Sequence, residues 1–176
     1  LYMKKYLVIG NPITHSLSPE LHNYWLRENS INGTYNKEQL NENDLKEFFL
    51  KIKNKEINGA NITVPFKRDV IAYLDQLSLE AEKTQSVNTV YLKKDKITGH
   101  NTDIDGFELA IKDANYNVEG KRVLILGAGG VVPSIIFALY KMKVLSVTIS
   151  NRTKSKAEDL KSLFNDLEIV DWGEAS

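Results

Sequence analysis

A lysine that directly follows a strand-ending proline is the first candidate for chemistry in this chain. The stretch from Asn61 to Lys67 begins as an apolar strand and stops at Pro65, because proline has no N–H to give to a sheet. Lys67 would then lie at the carboxyl end of a buried strand, where open α/β sheets bind their ligands. The alternative is a solvated lysine in the first turn of a helix, since most lysines are exposed.

Two serines offer hydroxyl groups at the start of the first predicted helix. Ser18 precedes Pro19, and a serine followed by proline is typical of a helix start. Ser16 and Ser18 could therefore bind an anion such as a carboxylate near the positive end of the helix, which is predicted to run to about Asn29. The alternative is that Ser18 only caps this helix.

An amide and a carboxylate follow later in the first half of the chain. We expect a strand over 86–92 in which Asn88 is buried, and a buried amide needs partners, either the neighbouring backbone or a ligand hydroxyl. Asp103 opens another predicted helix, where it is either an N-cap or a functional acid. With Asn61 and Thr63, these residues lie at strand ends or helix starts and would converge if the strands lie side by side.

A glycine-rich turn in the second half predicts a dinucleotide site. An apolar strand over 123–126, expected to be buried on both faces, leads directly into Gly127, Ala128, Gly129, Gly130 and Val131. Glycine permits a tight turn and lets the backbone approach a pyrophosphate at the helix N-terminus. A valine, Val132, replaces the third glycine of the G-x-G-x-x-G pattern, so the motif by itself is incomplete.

Cations after the next strand indicate NADP rather than NAD as the cofactor. The strand over 144–150 ends in Asn151, Arg152 and Thr153, and Lys156 follows closely. An NAD site would carry an acid here to bind the ribose hydroxyls, whereas arginine binds the 2′-phosphate of NADP with paired hydrogen bonds. The alternative is that Arg152 and Lys156 belong to a solvated helix start.

These residues need a scaffold, and alternating strands and helices predict the α/β fold class. We expect an N-terminal three-layer α/β substrate domain with a mostly parallel sheet, followed by an incomplete Rossmann-like dinucleotide-binding domain. The expected boundaries are 1–102 for the substrate-binding catalytic domain, 103–117 for a connecting helix and 118–176 for the N-terminal part of the NADP-binding domain. Only about three strands of the last domain are present against roughly six in a whole one, so we expect a fragment.

Two apolar stripes at helical spacing are predicted to face the core. One belongs to the first helix and the other to the helix that follows the second predicted strand. Their members are Leu21, Tyr24 and Trp25, and Leu45, Phe48, Phe49 and Ile52.

The composition argues against several classes of protein. Lysine plus arginine and aspartate plus glutamate number 23 each, so the zero net charge argues against a nucleic-acid or membrane-surface partner. There is no cysteine, and the three histidines lack ligand spacing, so no metal is expected. No apolar run is long enough to span a membrane, and the N-terminus lacks the apolar core of a signal peptide. We therefore expect a cytoplasmic protein that binds small molecules.

Six motifs, in order, resemble those of the shikimate dehydrogenase family. They are Ser16–Pro19, Asn61–Lys67, Val87–Thr89, Asn101–Asp103, Gly127–Gly130 and Asn151–Thr153. The resemblance covers nearly the whole chain from about Tyr6 onward. It implies reversible NADPH-dependent reduction of 3-dehydroshikimate to shikimate, in aromatic amino-acid biosynthesis. We expect a monomer or a homodimer, between which the sequence does not choose.

The resemblance also implies a role for each candidate residue. The two serines would bind the substrate carboxylate, and Lys67 with Asp103 would form the catalytic pair, Lys67 as the proton donor and Asp103 as its orienting partner. Four residues would bind the ring hydroxyls, with Asn61 beside them in the substrate site: Thr63, Lys67, Asn88 and Asp103. The glycine turn from Gly127 to Val131 would bind the pyrophosphate. The adenosine phosphate would lie on Asn151, Arg152, Thr153 and Lys156.

Three departures from the family pattern accompany the match. Gln85 and Ser86 stand where the family has glycine and alanine, and Val132 and Pro133 replace small residues after the glycines. The family's remaining strands, its nicotinamide-side residues and its last substrate contact, a glutamine on a late helix, are expected beyond Ser176.

Three alternatives to shikimate dehydrogenase activity are open. One is a sibling that also accepts quinate, and another is a non-catalytic NADP- or metabolite-binding protein of the same fold. The pair Lys67 and Asp103 favours an enzyme, because a pure binder has no need of a proton donor beside its pocket. The third is a similar dehydrogenase acting on a folate, which the serine carboxylate site disfavours.

Overall fold

A computed structural model describes residues 2–173 of the chain, which divides into two compact units. The first unit ends at Asn101 and the second begins at Thr102. Each unit has its own sheet and its own apolar core.

The first unit alternates strands and helices. Its strands are β1 (Lys4–Gly10), β2 (Gly33–Gln39), β3 (Gly59–Ile62), β4 (Gln76–Leu77), β5 (Thr89–Lys93) and β6 (Lys96–His100). Its α-helices are α1 (Ser18–Glu28), α2 (Leu45–Lys53) and α3 (Leu79–Thr84), and short 3-10 helices cover Glu42–Asp44 and Asp69–Tyr73. The two-residue strand β4 is too short to leave a sequence pattern, and it was not expected.

One mixed sheet organises the first unit, in the order β2-β1-β3-β5-β6-β4. The pairings of β1 with β2, β1 with β3 and β4 with β6 are parallel, as expected. By contrast, β5 is antiparallel to both β3 and β6. Only Lys94 and Asp95 join β5 to β6, and a connection this short cannot link parallel neighbours. Their positive φ angles, 50° and 60°, are typical of a tight hairpin turn.

The helix α2 supplies the centre of the first core, as its apolar stripe predicts. Leu45, Phe48, Phe49 and Ile52 are all buried, and they pack with residues from β1, β3 and β5 such as Ile9, Ile62 and Val90. The ring of Phe49 also stacks on Tyr73, with ring centroids 5.2 Å apart. This face of the sheet is therefore covered by apolar side chains.

The helix α1 contacts the sheet through the Asn23 amide, the His22 ring and the partly buried Leu26 rather than through the stripe predicted for it. The expectation that Leu21, Tyr24 and Trp25 face the core is wrong, because about half of each side chain is exposed. Instead, Asn23 bonds both backbone groups of Tyr35 on β2: its Nδ2 donates to the carbonyl at 2.6 Å, and its Oδ1 accepts from the N–H at 2.9 Å. An edge strand presents such unpaired backbone groups, and an amide can satisfy both.

The second unit contains a parallel sheet in the order β7-β8-β9. Within the described residues its strands are β7 (Arg122–Leu126), β8 (Ser146–Ser150) and β9 (Glu168–Val170), and its helices are α4 (Asp103–Asp113), α5 (Val132–Lys141) and α6 (Lys154–Leu163). The core lies between these elements and includes Ile136, Leu139, Val147, Ile149 and Leu160.

One strand of the second unit departs from its predicted burial. The apolar run of β7 was expected to be buried on both faces, yet Leu124 is 44% and Leu126 is 65% exposed. The side chains of a strand alternate between two faces, and only the face with Val123 and Ile125 packs on this core. The expectation is therefore wrong for the other face of β7.

Within residues 2–173, no helix from α1 to α6 combines the length and the apolar character needed to cross a membrane.

The buried stripe of α2 gives a test of the first core. We expect Phe49→Ala to lower the free energy of unfolding by about 3–5 kcal/mol, because it removes a fully buried ring and leaves a cavity. The matched control is Leu50→Ala on the same helix, where a 55% exposed side chain should cost less than about 1 kcal/mol. Urea denaturation followed by circular dichroism measures both, and equal losses would contradict this account of the core.

Candidate functional site

The loops that follow β1 and β3 meet at the carboxyl ends of these two parallel strands. The N–H of Thr63 donates to the carbonyl of Ile9 at 2.9 Å, and the N–H of Asn11 donates to the carbonyl of Val64 at 2.9 Å. The approach is close enough that a Cβ on Gly10 would lie 2.5 Å from the Thr63 methyl carbon. Gly10 is thus needed for contact, and the contact places the loop that leads to Ser16 beside the loop that leads to Lys67.

A third segment, which precedes β5, joins the other two. The N–H of Val87 donates to the carbonyl of Lys67 at 2.8 Å, and the N–H of Ile62 donates to the carbonyl of Asn88 at 2.8 Å. Because β5 is antiparallel to β3, the start of β5 lies at the same edge as the end of β3. Lys67 and Asn88 are therefore neighbours along the backbone of the site.

Lys67 is half-buried and lies outside a regular helix. It follows the fully buried Phe66, and the next helical residues are the 3-10 turn that begins at Asp69. The alternative of a fully solvated lysine in the first turn of an α-helix is therefore wrong. Burial of Phe66 in the first core fixes the backbone on one side of Lys67.

Asn88 precedes its strand rather than lying inside it, so the predicted strand over 86–92 begins too early, and the residue is half-buried rather than buried as predicted. Its Oδ1 accepts a hydrogen bond from the hydroxyl of Thr89 at 2.9 Å, and its carbonyl accepts from Asn61 Nδ2 at 3.2 Å as well as from Ile62. The residue is held by neighbouring side chains and backbone together. This environment keeps its amide in one orientation at the edge of the sheet.

Ser16 and Ser18 surround the first turn of α1. Ser18 is the first residue of the helix, Leu17 occupies the cap position, and no side-chain cap bond is formed. The alternative that Ser18 only caps the helix is therefore wrong. The Oγ of Ser16 accepts a hydrogen bond from the N–H of Ser18 at 3.3 Å. Both serines are half-buried beside the positive end of an 11-residue helix, where an anion is favoured.

Asp103 belongs to the second unit, as the first residue of α4. The alternative that Asp103 is the N-cap is wrong, because Thr102 occupies the cap position. Its carboxylate in the first turn is favoured by the helix dipole. Just before the boundary, the buried Asn101 donates from Nδ2 to the hydroxyl of Thr84 at 3.1 Å and to the carbonyl of Ser86 at 3.0 Å.

Three residues of this network were not singled out by their chemistry in the sequence. Asn101 holds the end of β6 to the turn that leads to Asn88. The Tyr35 hydroxyl bonds Asn61, and the Thr89 hydroxyl bonds both Asn61 and Asn88. Thr89 and Asn101 occur inside motifs, but Tyr35 stands in a strand of ordinary composition. No local pattern marks Tyr35, since its partners are distant in the chain.

The glycine-rich turn of the second unit connects β7 to α5. Gly127 has a φ of 108°, which only glycine adopts without strain, and its N–H donates to the carbonyl of Ser150 at 2.8 Å. A Cβ on Gly129 would meet no other atom of the described chain within 4 Å, so packing does not require glycine there. The open space beside the Gly129 backbone leaves room for a phosphate group to approach, so the turn fits a dinucleotide.

Asn151 holds this turn and the segment after β8 together. Its Oδ1 accepts from the N–H of Ala128 at 3.1 Å, and its Nδ2 donates to the carbonyl of Thr153 at 2.8 Å. Arg152, Thr153 and Lys156 are exposed beside it. The arrangement places two cations on the segment where a nucleotide-binding sheet contacts the ribose.

Comparison with known proteins gives two family matches in chain order. The first is the shikimate dehydrogenase substrate binding domain, over residues 8–90. The second is shikimate / quinate 5-dehydrogenase, over residues 108–172. Between them they include the three loops of the first unit and the glycine turn of the second.

Individual relatives agree with these matches. The shikimate dehydrogenase (NADP(+)) of Pelagibacter ubique is 53% identical over 97% of this chain and 64% of its own length. That of Caldicellulosiruptor saccharolyticus is 39% identical over 97% of this chain and 63% of its own. The chain thus spans a little less than two thirds of the length of these curated relatives.

Solved structures agree in fold. The shikimate dehydrogenase of Aquifex aeolicus superposes with a TM-score of 0.89 at 39% identity, over 96% of this chain and 62% of that one. The enzyme of Thermus thermophilus, solved in complex with NADP(H) and shikimate, superposes with a TM-score of 0.85 at 33% identity, over 96% of this chain and 63% of that one. The α/β fold class predicted from the sequence is confirmed, and the chain belongs to the shikimate dehydrogenase family.

Proposed function

We propose that this chain carries the substrate-binding and cofactor-binding parts of an NADP-dependent shikimate dehydrogenase. Such an enzyme reversibly reduces 3-dehydroshikimate to shikimate on the route to aromatic amino acids. The observation that carries the proposal is the convergence of the loops bearing Ser16, Lys67 and Asn88 at one sheet edge. The substrate domain would span 1–102, the connecting helix 103–117 and the cofactor domain 118–176.

The substrate carboxylate is assigned to Ser16 and Ser18. Hydroxyl groups at the N-terminus of α1 add hydrogen bonds to the favourable field of the helix dipole. The ring hydroxyls are assigned to Thr63, Lys67 and Asn88, together with Asp103. A hydroxylated ring carrying one carboxylate matches this division into an anion site and a set of polar groups.

The proton chemistry is assigned to Lys67 and Asp103. The nicotinamide cofactor, when bound, supplies or accepts the hydride. As the ketone oxygen gains negative charge, the Lys67 ammonium donates a proton to it, and in the reverse direction neutral Lys67 takes the hydroxyl proton. The Asp103 carboxylate orients the ammonium group and compensates its charge.

The cofactor is assigned to two segments of the second unit. The turn from Gly127 to Val131 would bind the pyrophosphate at the start of α5, and Asn151, which already bonds this turn, would align it with the ribose. Arg152, Thr153 and Lys156 would bind the 2′-phosphate that distinguishes NADP from NAD.

The proposal extends to partners and location. The protein would act in the cytoplasm on small molecules, as a monomer or a homodimer, with neither nucleic acid nor membrane as a partner. The zero net charge of the chain supports this part of the proposal, because no overall basic field attracts polyanions.

Loss of Lys67 tests the reaction. With shikimate and NADP, we expect turnover followed by NADPH absorbance to fall about 100-fold or more in Lys67→Ala, because the proton transfer is lost. The control is Lys53→Ala. Lys53 is an exposed lysine at the end of α2, and it is not assigned to the substrate or cofactor site. Equal rates in Lys67→Ala and the unaltered chain would contradict the assignment.

A chain without turnover still gives a decisive result through calorimetry. Shikimate binding without turnover would separate the substrate site from catalysis and favour the non-catalytic alternative for this chain. Absence of shikimate binding would contradict the proposed substrate, and turnover with quinate would identify the sibling activity.

Cofactor preference tests the cations after β8. We expect Arg152→Ala to weaken NADP binding about tenfold or more and to leave NAD binding nearly unchanged, because only NADP carries the 2′-phosphate. Lys161→Ala is the matched control, since Lys161 is an exposed lysine further along α6. Calorimetric titration with both nucleotides measures the difference. A parallel loss for NADP and NAD would show that Arg152 does not read the phosphate.

A further inference from the structure

A continuous chain of side-chain hydrogen bonds connects Tyr35 on the edge strand β2 to Asn88 in the candidate site. The Tyr35 hydroxyl donates to Asn61 Oδ1 at 2.7 Å, and Asn61 Nδ2 donates to the hydroxyl of Thr89 at 3.2 Å. The Thr89 hydroxyl then donates to Asn88 Oδ1 at 2.9 Å. Four side chains from three strands and one loop are therefore joined in sequence.

The donor and acceptor atoms of these four side chains allow the hydrogen bonds to run in one direction only. The Tyr35 hydroxyl bonds Asn61 Oδ1, so Asn61 Nδ2 faces the Asn88 carbonyl and the Thr89 oxygen, which both accept. A reversed Asn61 amide would place its oxygen against the Asn88 carbonyl. The single hydroxyl proton of Thr89 goes to Asn88 Oδ1. The Nδ2 end of the Asn88 amide is consequently turned away from Thr89.

Tyr35, the first residue in this series of hydrogen bonds, is held in place by its neighbours. Asn23 bonds both backbone groups of Tyr35, and the Tyr35 ring stacks on His22 with centroids 4.1 Å apart and 12° between the planes. Burial raises the pKa of the Tyr35 phenol, so the group stays protonated and remains a donor at neutral pH. The Asn88 carbonyl, which can only accept, determines the orientation of Asn61, and the Tyr35 hydroxyl completes it by donating to the amide oxygen.

We propose that Tyr35, Asn61 and Thr89 are positioning residues that orient the Asn88 amide so that its N–H groups bind a hydroxyl oxygen of the substrate. The proposal rests on the proposed function, since the ligand is the hydroxylated ring assigned there. Both N–H groups of Asn61 and one acceptor position of its oxygen are used within the protein. The N–H groups of Asn61 are therefore committed to the segment that carries Asn88, and its proposed positioning effect passes through Asn88.

Removal of the Thr89 hydroxyl tests whether this series of hydrogen bonds orients Asn88. Thr89→Val keeps the shape of the side chain and removes both of its hydrogen bonds, whereas Thr89→Ser keeps the hydroxyl. We expect Thr89→Val to weaken shikimate binding about 3- to 10-fold, the effect of one hydrogen bond, and to leave NADP binding unchanged. Thr89→Ser should restore the affinity to within about twofold. Calorimetry with shikimate and NADP provides these values.

A spectroscopic readout follows the orientation directly. The side-chain amide ¹H–¹⁵N resonances of Asn88 should shift in Thr89→Val and return in Thr89→Ser. Tyr35→Phe, which removes only the terminal donor, should shift the same resonances if Thr89→Val fails to fold. Unchanged Asn88 resonances in the folded variants, or shifted resonances with unchanged shikimate affinity, would overturn the proposal.

The two proposals fail in different ways. An unaltered chain that does not bind shikimate overturns the proposed function, and with it the ligand assigned to Asn88. The amide resonances decide separately whether the chain of hydrogen bonds orients Asn88, because that measurement needs no ligand.

Discussion

The contact between the loops after β1 and β3 is the constraint on which the candidate site depends. Two backbone hydrogen bonds and the absence of a side chain at Gly10 bring these loops together. Without that approach, the serines at the start of α1 and the lysine after Pro65 would stand on separate loops. Both hydrogen bonds of this contact join main-chain groups, so the relative position of the two loops does not depend on flexible side chains.

The two faces of the first sheet differ in the side chains that they carry. One face is closed by the apolar stripe of α2, which supplies stability but carries no polar group toward the site. The other face carries the polar chain from Tyr35 through Asn61. Along β3 the buried Ala60 and Ile62 alternate with Asn61, so a one-residue slip of this strand would exchange core and network. The register of β3 is therefore fixed by both faces at once.

Features that depend on one short stretch of sequence were mostly predicted correctly. The strand that ends before Lys67, the stripe of α2 and the glycine turn follow from proline geometry, helical spacing and glycine conformation. The caps considered at Ser18 and Asp103 were wrong by one residue, because Leu17 and Thr102 occupy the cap positions without a side-chain cap bond, and a preference for polar caps does not locate such helix starts. The exposure of the α1 stripe and the position of Asn88 depend on how the strands pair in the sheet. No local sequence pattern specifies this pairing.

The antiparallel direction of β5 has a consequence for how the sequence can vary. The hairpin turn at Lys94 and Asp95 lies at the opposite end of β5 from Asn88. Residues inserted there would extend into solvent without altering the loops that meet at the other edge. This turn is thus a natural place for a label or a short tag, and drift in its length among relatives would leave the chemistry of the site untouched.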